Sequence, residues 1–431
     1  MTLQSSPTSS PTLSRQIGLS AAVWLGLGSI LGAGVFVAVP QAVQMIGPTA
    51  IGALLCAGAI AVCNGLSSAQ LAAAHPQSGG TYEYGHRFLS PAMGRSAGWL
   101  FLCAKSASAA VSARAAANTI LFVIWGQAGP AERWERPAAA VITALFTVVV
   151  IYGIRRSSDL NRVLVIVTAV GLAAFCVHAL GRPAVAWSDT DSPKFSWATF
   201  GYATAFLFVA FTGYGRVATL GEEIQEPRKN VPRAVVATLL VALSVYWLVA
   251  YSVVRGGPIA VEGTPVLTNL LSADVPRATR FLVSLGVLAA TCGVLLNLLL
   301  GLSRTAFAMA RRSDLPPTLA VLRGTEPSRA VGFVGLIVVG FTWLDTTKFI
   351  WSVSAASVLV YYAITNVCAL RLTDKQRFLP RSLMWIGFVA CSAAAIVVPL
   401  SAWVIVAAVC SAGIVLSGVV RHFSGASPTQ H

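Results

Sequence analysis

Charge is scarce in this chain: Asp, Glu, Lys and Arg make up 10% of its 431 residues, against about 25% in a soluble domain. With 56% hydrophobic residues and a mean hydropathy of +0.74, that scarcity excludes a soluble globular protein and points to an integral membrane protein. Histidine is scarce too, with five scattered residues. The eight cysteines all fall in apolar stretches, with no CxxC and no Cys/His cluster. Neither a disulfide framework nor a zinc site is expected, and the thiols read as packing groups. There is no ATP-binding GxxxxGKS. No paired carboxylates, Ser/Lys pair or His-rich site within the apolar segments suggests an intramembrane enzyme. No metal or cofactor is expected. The N-terminus MTLQSSPTSSPTLSRQ lacks the basic start, apolar core and cleavage site of a signal peptide. Residues 1–15 read as a disordered cytoplasmic tail, and 422–431 as a similar tail. Acidic residues number 15 against 30 basic ones. The basic residues sit on alternate loops and form no tract, so nucleic acid is not an expected partner.

What is abundant is long apolar runs. Twelve are read, near 17–46, 48–72, 96–124, 137–154, 160–180, 196–220, 234–255, 278–305, 329–345, 348–370, 382–400 and 401–421, each close to the roughly 20 residues that cross a bilayer. With the N-terminus in the cytoplasm, the inner loops and tails hold 19 Lys and Arg, the outer loops eight. Acidic residues split eight to seven. The bias is specifically basic, as the positive-inside rule requires, and the even count places both termini inside a multi-pass cell-membrane protein. Three basic residues lie within spans: Lys105, Arg114 and Arg216. Lys105 and Arg114 are nine residues apart and face different directions; each either snorkels to an interface or is functional. No acidic residue lies mid-span, so no intramembrane ion pair is expected.

The chain is organised around GLGSILGAGVF (26–36), with Gly26, Gly28, Gly32 and Gly34 inside one apolar run. Glycine costs a helix about 1 kcal/mol relative to Ala, so four together mark either a break or close helix packing. The stretch lacks the strand and βαβ context of a dinucleotide fingerprint. The sixth segment, FLFVAFTGYGRVATLG, carries a second interruption at Gly213 and Gly215 around Tyr214. Corresponding interruptions in two halves are the sequence pointer to a transporter and its binding site. At such a break the leading amides and the positive helix end favour an anion, and the freed carbonyls hold an ammonium group. The pair suits a zwitterion: a carboxylate at the Ala33–Gly34 amides and an amine at carbonyls near Ile30 and Val209–Thr212.

Four stretches in order resemble the amino acid–polyamine–organocation transporter superfamily over roughly residues 17–375. They are GSILGAGVF (28–36), SSAQLAAAHPQSGGTYEYGHRFLSPAMGRSAGWLF (67–101), FTGYGRVATLGEEIQEPRKNVPRA (211–234) and LSRTAFAMARRSDLPP (302–317). The resemblance implies an all-α membrane fold of 12 transmembrane helices with a LeuT-like five-plus-five inverted repeat. The first repeat would cover 16–180 and the second 181–375, with two extra spans over 376–421. It implies alternating access, with an amino acid as the small-molecule partner and lipids around the bundle. Carried over, Ile30, Gly32, Ala33 and Gly34 would line one wall of the site, and Val209, Phe211, Thr212 and Gly213 the other. Phe208 or Phe211 would close it, with Tyr214 behind, and Asn297 would approach from span 8. The coupling is left open between proton, sodium and exchange. Polyamines or other organocations, and a non-transporting receptor of the same fold, are the alternatives.

Three departures qualify this. Gly215 stands where many members have an acidic residue, and Arg216 follows it, which disfavours cationic substrates. Thr168 stands where some proton-coupled members have a span-5 Lys, and a hydroxyl there could ligate sodium together with carbonyls near Thr291. Gln70 replaces an acidic residue late in span 2. Glu222 and Glu223 either pair with Arg87 or Arg304 as an inner gate or form a solvated helix end. Gln41, Gln44, Asn64, Tyr361, Tyr362 and Asn366 read as interhelical hydrogen-bonding groups, and Trp24, Trp99, Trp125, Trp187 and Trp197 as interface anchors.

Overall fold

Glycine spacing decides where the first apolar segment stops being one helix. In the computed structural model, which describes residues 17–75, 79–126, 131–152, 158–188, 193–219, 224–259, 267–271, 275–322 and 327–423, α1 (Leu19–Ile30) ends at Leu31, whose ψ of 85° leaves the helical region. One π turn (Gly34–Ala38) then leads into α2 (Val39–Ile46). There follow α3 (Ala50–Ala74), α4 (Thr81–Phe88), α5 (Pro91–Trp125), α6 (Ala131–Ile151) and α7 (Ser158–Leu180). The sixth segment is interrupted as well: α8 (Trp197–Phe211), a tight 3-10 turn at Thr212–Tyr214, then α9 (Gly215–Thr219). The chain continues with α10 (Pro227–Arg255), α11 (Arg277–Arg311), α12 (Ser328–Thr342), α13 (Thr347–Leu370), α14 (Arg381–Ile396) and α15 (Leu400–Phe423). The expected tail over 1–15 and most of that over 422–431 lie outside the described residues, as do Glu222 and Glu223.

Among the described residues there is no β-strand. Eight helical stretches are long and apolar enough to cross a membrane, and Leu19–Ile30, Ser328–Thr342 and Arg381–Ile396 are shorter apolar helices. Each apolar segment read from the sequence coincides with a helix or an interrupted pair. Some boundaries differ. The fourth begins at Ala131 rather than 137 and the seventh at Pro227 rather than 234, with Pro137 and Pro232 inside their helices, and the loop after span 2 contains α4.

Burial sorts the helices into centre and rim. The apolar stretches of α5 and α13 are 78% buried, while those of α6 and α15 are 17% and 22% buried. α5 reaches the centre because its middle, AKSASAAVSARAAA, is nearly all small residues, which let helices approach closely where the hydrophobic effect cannot drive them together. It packs on α11 and α13. α7 meets α11 at glycines: a Cβ on Gly171 would sit 2.7 Å from Gly286 Cα. At one end of the bundle Asp314, just past α11, is fully buried and gathers three elements. Tyr82 of α4 donates to its Oδ2 at 2.7 Å, and His86 Nε2 stands 3.5 Å from the same oxygen. Arg421 of α15 reaches Oδ1 at 2.7 Å. Burial pushes the Asp314 carboxyl up, but the neighbouring His86 ring, the Tyr82 hydrogen bond and the Arg421 charge outweigh it and hold it below the ordinary aspartate value. Burial first, and the Asp314 carboxylate second, push the Tyr82 phenol up, so it remains the donor. Arg312 clasps Glu83 of α4 at 2.6 and 3.2 Å.

Candidate functional site

The two breaks cross each other. A Cβ on Gly213 would collide with the carbonyl of Ser29, and one on Gly34 would lie 2.6 Å from the Cβ of Ala210. Glycine is therefore required at both positions for backbone to approach backbone, so the packing and break readings of these residues describe one arrangement. Across the first break, Gly32 O accepts from the amides of Val35 and Phe36 at 3.2 and 3.4 Å. Ala33 and Gly34 then carry the leading N–H groups of the second half, a position with no intrahelical partner. Tyr246 of α10 bridges the two breaks: its hydroxyl lies 2.7 Å from Ile30 O and 3.1 Å from Ala210 O. Asn297 of α11 donates to Gly28 O at 3.0 Å. Thr212 Oγ1 donates to Val209 O at 2.7 Å and accepts from Lys105 Nζ at 2.8 Å.

A cavity of about 120 Å³ opens at this crossing. Of the expected substrate-contacting residues, Ile30, Ala33, Gly34, Val209, Thr212, Gly213 and Asn297 line it. Gly32, Phe208 and Phe211 are not among the lining residues. Gly32 faces Val294, Phe208 packs edge-on to Tyr362 with centroids 5.8 Å apart, and Phe211 rests on Tyr246 at 5.0 Å. Tyr214 is buried against Tyr362 at 5.4 Å. Arg216 lines the cavity with Gly301 and Arg304 of α11, and Trp351, Tyr361 and Tyr362 of α13 form another side. Thr168 and Thr291 each donate within their own helix, to Leu164 O at 2.8 Å and Val287 O at 2.7 Å, and neither lines the cavity.

The charged span residues do not snorkel. Lys105 is 8% exposed and points inward to the second break. Arg114 turns the other way, to Glu135 Oε1 at 2.7 Å and to the carbonyls of Leu344 and Asp345 at 3.4 and 3.0 Å. This ion pair is absent from the sequence reading because the early start of α6 carries Glu135 onto the helix. Gln70 keeps a use that an acidic side chain would have: its Oε1 accepts from the amides of Phe378 and Leu379, both at 3.0 Å. Trp99 is not an interface anchor; it is buried, with its indole donating to Ser417 Oγ at 3.1 Å. Asn64, Asn366 and Cys391 form an interhelical polar cluster, and Tyr361 accepts from the Thr81 amide. Among the described residues no group of three His, Cys, Asp or Glu side chains could hold a metal ion.

Residues 21–422 match the amino acid permease family model. An uncharacterized transporter of Mycobacterium tuberculosis is 40% identical over 423 residues, covering 95% of this chain and 92% of its own. The vacuolar cationic amino acid transporter 2 of Arabidopsis thaliana is 26% identical over 86% of this chain and 62% of its own, and the methylthioribose transporter of Bacillus subtilis 24% over 86% and 84%. A helical bundle whose first and sixth apolar segments break against each other beside a cavity, matched by this family over nearly its whole length, belongs to the amino acid permease family and is a multi-pass membrane transporter.

Proposed function

We infer that the protein is a secondary active transporter that moves an amino acid across the cytoplasmic membrane by alternating access. The supporting observation is the crossing of the two breaks at Gly34–Ala210 and Gly213–Ser29 around the cavity. The leading amides at Ala33 and Gly34 receive the α-carboxylate, since amides and helix dipole both favour an anion there. The ammonium group meets the carbonyls of Ile30 and Val209–Thr212; Ile30 O already takes the Tyr246 hydroxyl, and a carbonyl has a second lone pair to offer. Twelve spans in a five-plus-five repeat, with both termini cytoplasmic, accord with the helix order and the basic inner loops. In that topology the cavity runs from the breaks past Gly301 to Arg304 at the inner end of α11, and substrate leaves towards the cytoplasm. Arg216 and Arg304 line that route, and like charges there oppose a polyamine.

Thermal unfolding of the detergent-purified protein tests this reading. The screen uses the twenty amino acids and several polyamines, with and without sodium, at pH 5.5 and 7.5. A ligand at 100 times its Kd stabilises the folded state by about 2.7 kcal/mol. One amino acid class raises the melting temperature, and Gly34→Leu removes the rise. Enhancement by sodium assigns the coupling to that ion and directs attention to Thr168 and Thr291; enhancement at pH 5.5 assigns it to protons. A folded protein stabilised by polyamines and by no amino acid contradicts the reading.

A further inference from the structure

We propose that the cavity selects an acidic amino acid, whose side-chain carboxylate pairs with Lys105. The proposal rests on the amino acid reading above and names the substrate class of that same site. Backbone groups at the two breaks provide for the α-carboxylate and the α-ammonium, so selection among amino acids falls to the side chains that line the cavity. The charged ones among them are Lys105, Arg216 and Arg304, all positive, and no Asp or Glu among the described residues lines it.

Lys105 carries the argument. Its ammonium group is buried, and its hydrogen bonds go to the Oγ1 and the carbonyl of Thr212 at 2.8 and 3.5 Å. Both acceptors are neutral, and an ammonium has three donors. A buried charge without a counter-ion is costly, and inside a bilayer such residues mark a substrate or ion path. Arg114, on the same helix, has Glu135 as its counter-ion; Lys105 has none among the described residues. A carboxylate arriving with the substrate supplies the missing charge. Thr212, which holds Lys105, belongs to the wall of carbonyls assigned to the α-ammonium, so two ammonium groups face one stretch of backbone, and the carboxylate of a short acidic side chain, placed between them, offsets their repulsion. A cationic side chain would meet the like charge of Lys105, and a neutral one would leave Lys105 as it is. Arg304, exposed at the end of the cavity, adds a field that draws anions in.

The test is solute counterflow in proteoliposomes holding the full chain at pH 7. Radiolabelled L-glutamate, L-aspartate, L-leucine and L-arginine are compared, and each is also tried as an unlabelled competitor. The expected result is that glutamate or aspartate exchanges with an apparent affinity at least about tenfold better than leucine or arginine, as befits a buried charge pair. Lys105→Met removes most of that preference while leucine competes as well as before or better, and Lys105→Arg retains it. The ranking by the unmutated protein stands on its own if Lys105→Met fails to fold. Leucine or arginine exchanging as well as the acidic pair overturns the proposal and leaves the amino acid reading intact. So does Lys105→Met losing acidic and neutral substrates alike, which would place Lys105 on the α-carboxylate. Exchange of none of the four, while another amino acid is carried, also overturns the proposal alone. A folded protein that carries no amino acid removes the underlying reading and the proposal with it.

Discussion

Gly213 and Tyr246 hold the crossing of the two breaks, one by what it lacks and one by its hydroxyl. A methyl group on Gly213 has nowhere to go, because the obstacle is the backbone of Ser29 and not a movable side chain. Gly213→Ala should destabilise the protein by about 1–3 kcal/mol, the usual cost of overpacking, and lower its melting temperature in detergent while weakening ligand stabilisation. Tyr246→Phe keeps the ring against Phe211 and removes the hydroxyl from Ile30 O and Ala210 O. It should cost about 1 kcal/mol by the same assay, and a loss below the error of measurement would show that the bridge is dispensable. These two residues differ in legibility. Gly213 stood out in the sequence because glycine inside an apolar run calls for a reason. Tyr246 did not, since nothing in a tyrosine's local context says which backbone its hydroxyl reaches 216 residues away. Lys105 was visible as an intramembrane charge, but its direction was not. α5 is buried nearly all round, so no apolar stripe marks which way a residue faces.

At the level of elements, the contacts made by Asp314 fasten α4 and α15 to the end of α11. Its carboxyl is held below the ordinary aspartate value, so the stabilisation it gives is fully present above the unfolded value of about 3.9. That stabilisation is lost as pH falls through the folded value. Thermal unfolding followed from pH 6 to pH 3 should show it disappearing at the acid end, and Asp314→Asn should flatten that part of the curve. Arg421→Met, which removes the charged partner, should cost about 1.5–3 kcal/mol at neutral pH and leave α15 more open to protease. An unchanged melting temperature in Arg421→Met would contradict the fastening role. The helices themselves were legible from apolar length, and the breaks from paired glycines. α4 was not, because TYEYGHRF is polar and short and its support is tertiary: Tyr82 on Asp314, Glu83 on Arg312, and the Thr81 amide on Tyr361. The early start of α6 was hidden by Pro137, which reads as a first helical residue and here sits within the helix.

Across the whole molecule the arrangement follows from one constraint: irregular backbone inside a membrane must be covered by protein or line a cavity. The small-residue helix α5, with α11 and α13, encloses the breaks, while α6 and α15 face outward. The apolar helices were readable because a segment that crosses a membrane needs a minimum apolar length, and eight helical stretches among the described residues reach it. Which helices lie at the centre was less so, since lipid-facing and core-facing surfaces are both apolar. The content of the cavity was the least legible, because it is contributed by α1, α5, α8, α9, α11 and α13 together. The central claim, that these breaks bind and carry an amino acid, is tested most directly by counterflow. Purified protein in liposomes preloaded with each amino acid in turn should accumulate the labelled form of at least one above empty liposomes, and Gly34→Leu, folded to the same melting behaviour without ligand, should not. Counterflow that no amino acid supports in a folded preparation, or that Gly34→Leu leaves unchanged, would contradict the account.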